Sequence, residues 1–477
     1  METNLTERLL QFPKEFPFGT AVASFQVENP DPTRYTDWDA FIHNNPRKNI
    51  IEPGEYGPDW WDAAKAKKDI DSMARIGTTS LRFSLEWARI EPQPGVFNPD
   101  ALLAYRDLVI YMESKGIMPL ITLNHLTLPE WIAQQGSWAR QSIVQEFEKY
   151  VEYVLSFFPD NKYWITLNEP NGLIVSAYAT KFFPPQKGSL LDTWRARNNM
   201  LEAHKRAHRL IKEKNKESQV GIAYALIWYR PENESDQLER WYTYLVDYVN
   251  ATNWMVATMD HMDFIGCNYY TGYYLDLDPL KFRLTNRKDS AGIPKTMLLG
   301  QTKRPGAYTT DMGWPIVPDF FLSLLRNLYS SYHKPIIITE NGIADIEDKY
   351  RAFYLLTHLV AMWKAMDEKI PILGYNYWSA IDNLEWLYGF TRHFGLIGYN
   401  AQTHERHLRH SVGLYRDIME KKHIDISHLM KTYLPLDQQE KAGLLIQQIL
   451  TAGKRTPRIK YEDTPENLSE NQKDFIR

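Results

Sequence analysis

The sequence predicts an α/β protein built on a single (β/α)8 TIM barrel, and three observations lead to that prediction. Short β-rich apolar runs occur eight times, segments of helical period separate them, and most of the runs finish in polar or aromatic residues. This alternation is typical of repeated βα units around a parallel sheet. Eight units favour a closed barrel, while periodicity alone also allows an open doubly wound sheet.

The candidate strands follow one another at intervals along the chain. They are FGTAVAS from Phe18, SLRFSLEW from Ser80, MPLITLNH from Met118, YWITLNEP from Tyr163, VGIAYALIW from Val220, DFIGCNYY from Asp263, KPIIITENG from Lys334 and ILGYNYWSAID from Ile372. Helical patterns lie between them, for example at 61–77, where Ala63, Ile70, Met73 and Ala74 can share a face. A second pattern, at 100–116, ends in Gly116, a residue type favoured just after a helix.

The carboxyl ends of the strands are where function is expected, because they form the active face of such a barrel. The residues found there are Arg82 and Glu86, Asn124 and His125, Asn168 and Glu169, Asn268 and Tyr270, Glu340 and Asn341, and Trp378 and Asp382. A purely structural barrel does not need polar groups at so many strand ends.

The chain is expected to divide into a barrel, residues 1–424, and a C-terminal helical and polar extension, residues 425–477. The extension contains one amphipathic stretch, LDQQEKAGLLIQQILTAG, and then a mixed-charge tail from residue 454 onward. Residues 275–318 are rich in proline and glycine and predict a loop insertion over the active face.

The composition, 44% hydrophobic and 24% charged, is that of an ordinary globular protein. A formal net charge of -4 argues against a nucleic-acid partner, which would favour a basic surface. No run approaches the roughly 18 apolar residues of a membrane span. The single cysteine, Cys267, and the N-terminus without a signal-like run predict a cytoplasmic protein. The oligomeric state is open.

Two strand-end glutamates, Glu169 and Glu340, are the natural pair for glycoside hydrolysis. The retaining reaction places two carboxyl groups about 5–5.5 Å apart, one attacking the anomeric carbon and the other protonating the leaving oxygen. These two residues close predicted strands four and seven, so both should project from one end of the barrel. A lone strand-end glutamate can simply cap a loop, but two on matching ends indicate a catalytic pair more strongly.

The motifs resemble glycoside hydrolase family 1, the family of β-glucosidases and β-galactosidases, from about Phe12 to Ile418. The matching segments are FPKEFPFGTAVASFQVE, LRFSLEWARIEP, ITLNHLTLPEW, WITLNEP, DFIGCNYYT, TDMGWPI, IIITENG and YWSAIDNLEW followed by GFTRHFGL, in the family's order. The resemblance implies that Glu169 is the general acid and base and Glu340 the nucleophile.

The resemblance also implies roles for the residues around the pair. Those matching positions that support catalysis are Arg82, Asn168, Asn268 and Tyr270; those matching substrate contacts are Gln26, His125, Glu385 and Trp386, with Trp378 as the platform beneath the sugar ring. Structural alternatives exist for several of them. Asn168 can cap a turn, Gln26 can cap the first strand, and His125 can be a core histidine. The Asn-Leu-Glu-Trp segment can be a loop salt bridge with a packed indole.

Two departures from the family's pattern bear on the substrate. His125-Leu126-Thr127 stands where the family usually has His-Trp-Asp, so one glycone contact is weakened, and Trp60-Trp61 stands where His-Tyr is usual, so the outer pocket is expected to differ. Glu385 favours a neutral hexoside, because its charge would repel a 6-phosphate and the phospho-glycosidase branch lacks it.

Neither a metal nor a cofactor is expected. His204 and His208 are four residues apart without the HExxH glutamate, and Lys205 and Arg206 between them favour a solvated helix face. The histidines at 404, 407 and 410 are interleaved with arginines, and no glycine-rich phosphate-binding loop precedes a helix.

The predicted function is therefore retaining, exo-acting hydrolysis of small neutral β-glycosides, such as glucosides, galactosides or fucosides, by double displacement. Two alternatives stay open. A transglycosylase would use the same residues with a sugar as acceptor. A catalytically silent barrel that binds glycans or a partner protein would be expected to have lost one carboxylate, and both are present.

Overall fold

The structure, a computed structural model, describes residues 8–29, 34–45, 57–186, 188–277 and 300–453. The polar tail predicted from residue 454 and the central part of the predicted loop insertion, 278–299, lie outside the described residues.

Eight parallel strands close into a ring. In chain order, β1 to β8 are Phe18–Ala21, Ser80–Ser84, Met118–Asn124, Tyr163–Asn168, Gln219–Pro231, Phe264–Leu275, Ile336–Asn341 and Ile372–Trp378. Each strand pairs with its neighbours in the chain, and β8 pairs with β1, so the ring has no open edge. The predicted (β/α)8 barrel is confirmed, and the open-sheet alternative is wrong.

Strands β5 and β6 continue beyond the ring. They pair with each other from Gly221 and Phe264 to Pro231 and Leu275, whereas the pairing of β6 with β7 ends at Asn268. A short strand, Gln301–Thr302, adds to β6 in the antiparallel sense. The result is a small sheet standing above the carboxyl end of the barrel.

Helices surround the ring. The longer ones are Asp37–Asn44, Ala63–Arg75, Pro99–Ser114, Ile143–Phe157, Leu190–Lys214, Gln237–Asp247, Pro318–Tyr332, Arg351–Asp367, Val412–Lys421, Ile426–Tyr433 and Leu436–Thr451. Short helical turns are Ser24–Val27, Trp87–Ile90, Glu130–Gln134, Ser137–Ala139, Pro170–Leu173, Ile174–Ala179, Tyr248–Thr252, Asn253–Thr258, Met259–His261 and Trp386–Thr391. Two further strand pairs are Leu9–Gln11 with His423–Asp425 and Ile397–Tyr399 with Arg406–Leu408.

The predicted helical segments form where their local signals indicate. The helix Pro99–Ser114 begins after Asn98, whose side chain accepts hydrogen bonds from the first-turn amides. It is followed by Gly116 with φ of 74°, the left-handed conformation expected there. In the helix Ala63–Arg75 the buried face uses Ala66 with Ile70 and Met73, and not Ala63, which is exposed.

The apolar core has an outer and an inner part. The outer part fills the layer between strands and helices. The inner part is a separate cluster drawn from five strands, namely Leu120, Ile165, Ala223, Phe264 and Ile337, and it plugs the barrel. The barrel is thus a packed scaffold whose accessible end is the carboxyl face of the strands.

The amphipathic stretch of the C-terminal extension forms the helix Leu436–Thr451. Its buried residues include Ala442, Ile446 and Ile449, and it packs on the helices Pro318–Tyr332 and Arg351–Asp367. The domain boundary at residue 425 stays a prediction. Among the described residues, the structure contains no helix with the length and apolarity needed to cross a membrane.

The solvated face predicted at His204 is wrong. His204 is fully buried, and its Nδ1 lies 2.7 Å from the Thr166 hydroxyl oxygen. Burial lowers the pKa of His204 well below its usual value and that of the half-buried His208 to about 4. Among the described residues, no group of three or more His, Cys, Asp or Glu side chains is arranged to hold a metal ion.

Candidate active site

A cavity of about 600 Å³ lies at the carboxyl ends of the strands. The predicted site residues that line it are Gln26, His125, Asn168, Glu169, Asn268, Tyr270, Glu340, Trp378, Glu385 and Trp386. Arg82, the remaining predicted residue, lies behind the wall in contact with Glu340. The structure therefore brings all the predicted site residues together.

Glu340, the last but one residue of β7, is 4% exposed and is held from two sides. The Arg82 guanidinium, from β2, donates to Oε1. The Tyr270 hydroxyl, from β6, donates to Oε2 at 2.6 Å. Burial and the Glu340 charge raise the pKa of Tyr270 well above its usual value, so the phenol remains a donor. A cation and a hydroxyl thus hold the Glu340 carboxyl group in place through hydrogen bonds to both of its oxygens.

Glu169 follows β4 and has a different environment. Its Oε1 accepts a hydrogen bond of 2.9 Å from the Asn268 amide nitrogen. Burial, and then the charge of Glu340, raise the pKa of Glu169 to about 7. Its backbone has φ 45° and ψ 45°, a left-handed conformation that its 2.6 Å hydrogen bond to the Ala223 carbonyl helps to hold. Glu169 therefore holds its proton to a higher pH than an ordinary glutamate does.

Asn168 connects the two glutamates through hydrogen bonds. Its Oδ1 accepts from Arg82 Nη2 at 2.6 Å and from Asn268 Nδ2 at 3.1 Å. Two threonines hold these donors in place: Thr122 accepts from Arg82 Nε at 3.1 Å, and Thr339 donates to Asn268 Oδ1 at 2.6 Å. We did not predict the threonines, because inside a strand they look like ordinary β-branched residues.

Three polar atoms of the residues predicted to contact the substrate are buried without a hydrogen-bond partner among the described residues. They are Gln26 Oε1, His125 Nδ1 and Glu385 Oε2. The Gln26 amide nitrogen is fixed, since it donates to the Leu384 carbonyl at 2.6 Å. His125 Nε2 lies 3.1 Å from the Asn168 amide nitrogen. Buried polar groups without partners are destabilising, so this set indicates a ligand that supplies hydroxyl groups.

Aromatic rings frame the same part of the cavity. The His125 ring is stacked with Trp378, at 5.9 Å between centroids, and with Trp386, at 6.3 Å. Trp386 is itself parallel to Phe25 at 5.9 Å. Burial and the Arg82 charge lower the pKa of His125 well below its usual value, so the imidazole is neutral. Flat apolar faces beside unpaired polar atoms suit a sugar ring.

Glu385 is a further carboxyl group of the cavity, which Glu169, Asp311 and Glu340 also line. Burial, and then the charges of Glu340 and Glu169, raise the pKa of Glu385 to about 8, while Arg392 opposes the shift. Near neutral pH the protonated carboxyl group can both donate and accept hydrogen bonds.

The outer cavity contains residues that we did not predict. The apolar ones are Leu126, Leu173, Phe182, Phe183, Leu226, Ile227, Tyr229, Tyr273, Met312, Trp314, Leu387, Tyr388 and Phe394. A signal existed for four of them, which stand in the motifs quoted above, namely Leu126, Met312, Trp314 and Phe394. The others come from other segments and carry none. The described part of the loop insertion lines the cavity, as predicted. Trp60 and Trp61 lie outside it: Trp60 donates to Asp69 at 2.9 Å and Trp61 packs on Arg89.

Comparison with known proteins agrees with this geometry. The model of glycosyl hydrolase family 1 matches residues 9–241 and 249–424. Beta-glucosidase A of Thermotoga maritima is 28% identical over 87% of this chain and 99% of its own length. The beta-galactosidase of Sulfolobus acidocaldarius is 29% identical over 88% and 98% of the two chains. The solved beta-glycosidase from Pyrococcus horikoshii superposes with a TM-score of 0.78 at 30% identity, covering 90% of this chain and 100% of that one.

The fold, the cavity and these similarities define a glycoside hydrolase that acts on O-glycosyl bonds. More specifically, the chain belongs to glycosyl hydrolase family 1, and its function is that of a retaining β-glycosidase.

Proposed function

We propose that the cavity carries out double displacement on a neutral β-glycoside, with Glu340 as nucleophile and Glu169 as general acid and base. The observation that carries the proposal is the contrast between the two carboxyl groups. The Glu340 carboxyl group accepts hydrogen bonds from the Arg82 guanidinium and the Tyr270 hydroxyl. The pKa of Glu169 is raised to about 7 by burial and by Glu340.

In the first step, the Glu340 carboxylate attacks the anomeric carbon while Glu169 gives its proton to the leaving oxygen. Arg82 and Tyr270 fix the direction of the attacking carboxylate. Asn168 is placed between Arg82 and Asn268, where its amide can bond a sugar hydroxyl beside the reacting carbon.

In the second step, the Glu340 charge is lost, because its oxygen is esterified to the sugar. One of the two main causes of the raised pKa of Glu169 then disappears, and Glu169 becomes more acidic. It can accept a proton from the incoming water and act as a base. If a sugar hydroxyl enters in place of water, the same residues give transglycosylation.

The proposed substrate has a neutral glycone such as glucose, galactose or fucose. Gln26, His125 and Glu385 offer polar atoms for its hydroxyls, and Trp378 offers a ring face. Four carboxyl groups line the cavity, and the pKa values of two of them are raised, to about 7 for Glu169 and about 8 for Glu385, so repulsion of an anionic glycone should grow as the pH rises. The proposal includes the intracellular location expected from the sequence, because the single cysteine, Cys267, is buried and can form no disulfide within the chain.

The pH dependence of the reaction follows from the protonation of Glu169. The acid must carry its proton in the free enzyme, so kcat/KM for an aryl β-glucoside should fall as the pH rises through about 7. In Glu169→Gln, assayed with an activated aryl glucoside, this alkaline limb should be absent. Glu385 also titrates in this range, so Glu385→Gln is the control and should keep the limb. A limb that persists in Glu169→Gln would contradict the assignment.

A panel of nitrophenyl β-D-glycosides (glucoside, galactoside, fucoside, mannoside and 6-phosphoglucoside) tests the substrate class. At a pH above about 8, where Glu385 is ionised, we expect the best neutral member to exceed the 6-phosphoglucoside by about 100-fold in kcat/KM, because like charges repel in the cavity. At that pH the ratio should narrow to about 10-fold in Glu385→Gln, whereas the exposed control Glu347→Gln should leave it unchanged. A wild-type preference for the phosphorylated member would overturn this part of the proposal.

A further inference from the structure

Another carboxyl group, that of Glu86, lies beside the cavity without lining it. Glu86 follows β2 and precedes the turn Trp87–Ile90, and it is completely buried. Among the described residues it forms no ion pair, since the neighbouring arginines Arg34 and Arg89 pair with Asp39 and Glu28. The catalytic cycle described above makes no use of it.

The Glu86 carboxylate connects two segments of the active face. The Thr127 hydroxyl donates to it at 3.1 Å, and the Ser24 hydroxyl donates at 3.4 Å. Ser24 begins the turn that carries Gln26, and Thr127 lies two residues after His125. Both of those side chains have an unpaired polar atom in the cavity wall.

The loop that carries His125 depends on such support. Its Leu126 has φ of 71°, a left-handed conformation that is unfavourable for leucine. The loop is closed by the 2.9 Å bond from the Thr127 N–H to the His125 carbonyl and by the 2.7 Å bond from the Asn124 amide to the Thr127 carbonyl. The Thr127 hydroxyl is therefore the point at which the closed loop is fixed to Glu86.

We infer that Glu86 is a positioning residue for glycone recognition, which sets the distance between Gln26 and His125 by holding Ser24 and Thr127. The inference rests on the proposed function of the cavity. Any displacement of His125 also moves its hydrogen-bond partner Asn168, which lies between the two glutamates. The effect of Glu86 should thus reach substrate binding and turnover although Glu86 does not touch the substrate.

Glu91 provides a matched control, because it is a buried carboxylate of the same chain segment with a purely local role. It accepts hydrogen bonds from the Trp87 indole at 2.8 Å and from the Gly95 amide at 2.9 Å, and it does not line the cavity. Glu91→Ala should lower the thermal stability while leaving KM and kcat unchanged.

The experiment compares Glu86→Ala, Glu86→Gln and Glu91→Ala by kcat, KM and Tm with nitrophenyl β-glucoside, and by the affinity for deoxynojirimycin. We expect Glu86→Ala to lose about 10- to 100-fold in kcat/KM, with weaker inhibitor binding, because small displacements of binding groups are costly. Glu86→Gln retains an acceptor oxygen and should stay within about threefold of wild type. If Glu86→Ala lowers Tm as Glu91→Ala does but leaves kcat/KM and inhibitor affinity unchanged, the inference is wrong.

Variants of Thr127 provide a second test, which can be made even if Glu86→Ala does not fold. Thr127→Val removes the hydroxyl at similar volume and should reproduce the loss, whereas Thr127→Ser keeps the hydroxyl and should not. In the folded double variant Glu86→Ala/Thr127→Val, the two losses in kcat/KM should not multiply, because both substitutions remove the same Glu86–Thr127 contact. Multiplying losses, or equal activity of the Val and Ser variants, would overturn the inference while leaving the proposed glycosidase activity of the wild type untouched.

Discussion

Replacing Glu340 by alanine is expected to lower kcat for aryl β-glucosides by about 10⁴-fold or more, as loss of a covalent nucleophile does in other enzymes. Among the described residues that line the cavity, the other carboxyl groups do not replace it: Asp311 is exposed and accepts a hydrogen bond from the Ile346 N–H at 2.8 Å. Glu169 lies on the leaving-group side in the proposed reaction, and Glu385 belongs to the glycone wall with its pKa raised to about 8. Release of nitrophenol measures the loss, and Glu347→Ala, an exposed carboxylate seven residues further on, is the control.

The same variant should respond to small anions. Azide or formate can enter the space that the carboxylate leaves beside Arg82 and Tyr270, and attack the anomeric carbon directly. One displacement in place of two gives a product of inverted configuration. Product stereochemistry by NMR checks this. Wild-type-like activity of Glu340→Ala, or rescue with retained configuration, would refute the nucleophile assignment.

Replacing Glu169 by alanine should produce a loss that depends on the leaving group. For a poor leaving group, such as a second sugar, we expect kcat/KM to decrease by about 10²- to 10⁴-fold, which is the usual contribution of general acid catalysis. For an activated phenol, which departs without a proton, the first step should be nearly unaffected and the second step should become rate-limiting. Azide should then accelerate turnover and give a glycosyl azide of retained configuration.

The matched control for this variant is Glu169→Asp, which keeps the acid but shortens it. It should recover part of the activity on the poor leaving group, and alanine should not. Equal losses for Glu169→Ala on good and poor leaving groups would show that the residue acts otherwise than as a proton donor.

Much of the architecture could be predicted because its signals are local. Strand ends such as Asn168-Glu169-Pro170 and Thr339-Glu340-Asn341 combine an apolar run with a polar terminus and a turn residue, so both their element and their face were predictable. The count of βα units favoured a closed ring. Its closure by β8 pairing with β1 was not local, and only the structure excluded the open sheet.

The parts that were not predictable depend on contacts between distant residues. Arg82 and Glu340 are 258 positions apart, so their pairing was expected from the family resemblance and from no local signal. The charges that follow His204 in the sequence suggested a solvated helix face, yet the histidine is buried against Thr166. Nothing in the local sequence distinguishes Thr122 and Thr339, because their role is to hold Arg82 and Asn268 in a hydrogen-bond network.

The small sheet formed by the extended ends of β5 and β6 lies outside the closed ring. The shape of the outer cavity and the placement of the two glutamates therefore depend on different residues. Leu226, Ile227, Tyr229 and Tyr273 line the cavity from strand residues that no other barrel strand pairs with. Exchanges there would alter the shape presented to the departing half of the substrate while leaving the ring and both glutamates as they are. Selection, natural or in the laboratory, can therefore change leaving-group preference independently of the catalytic apparatus, and this sheet is the place to begin a directed-evolution library.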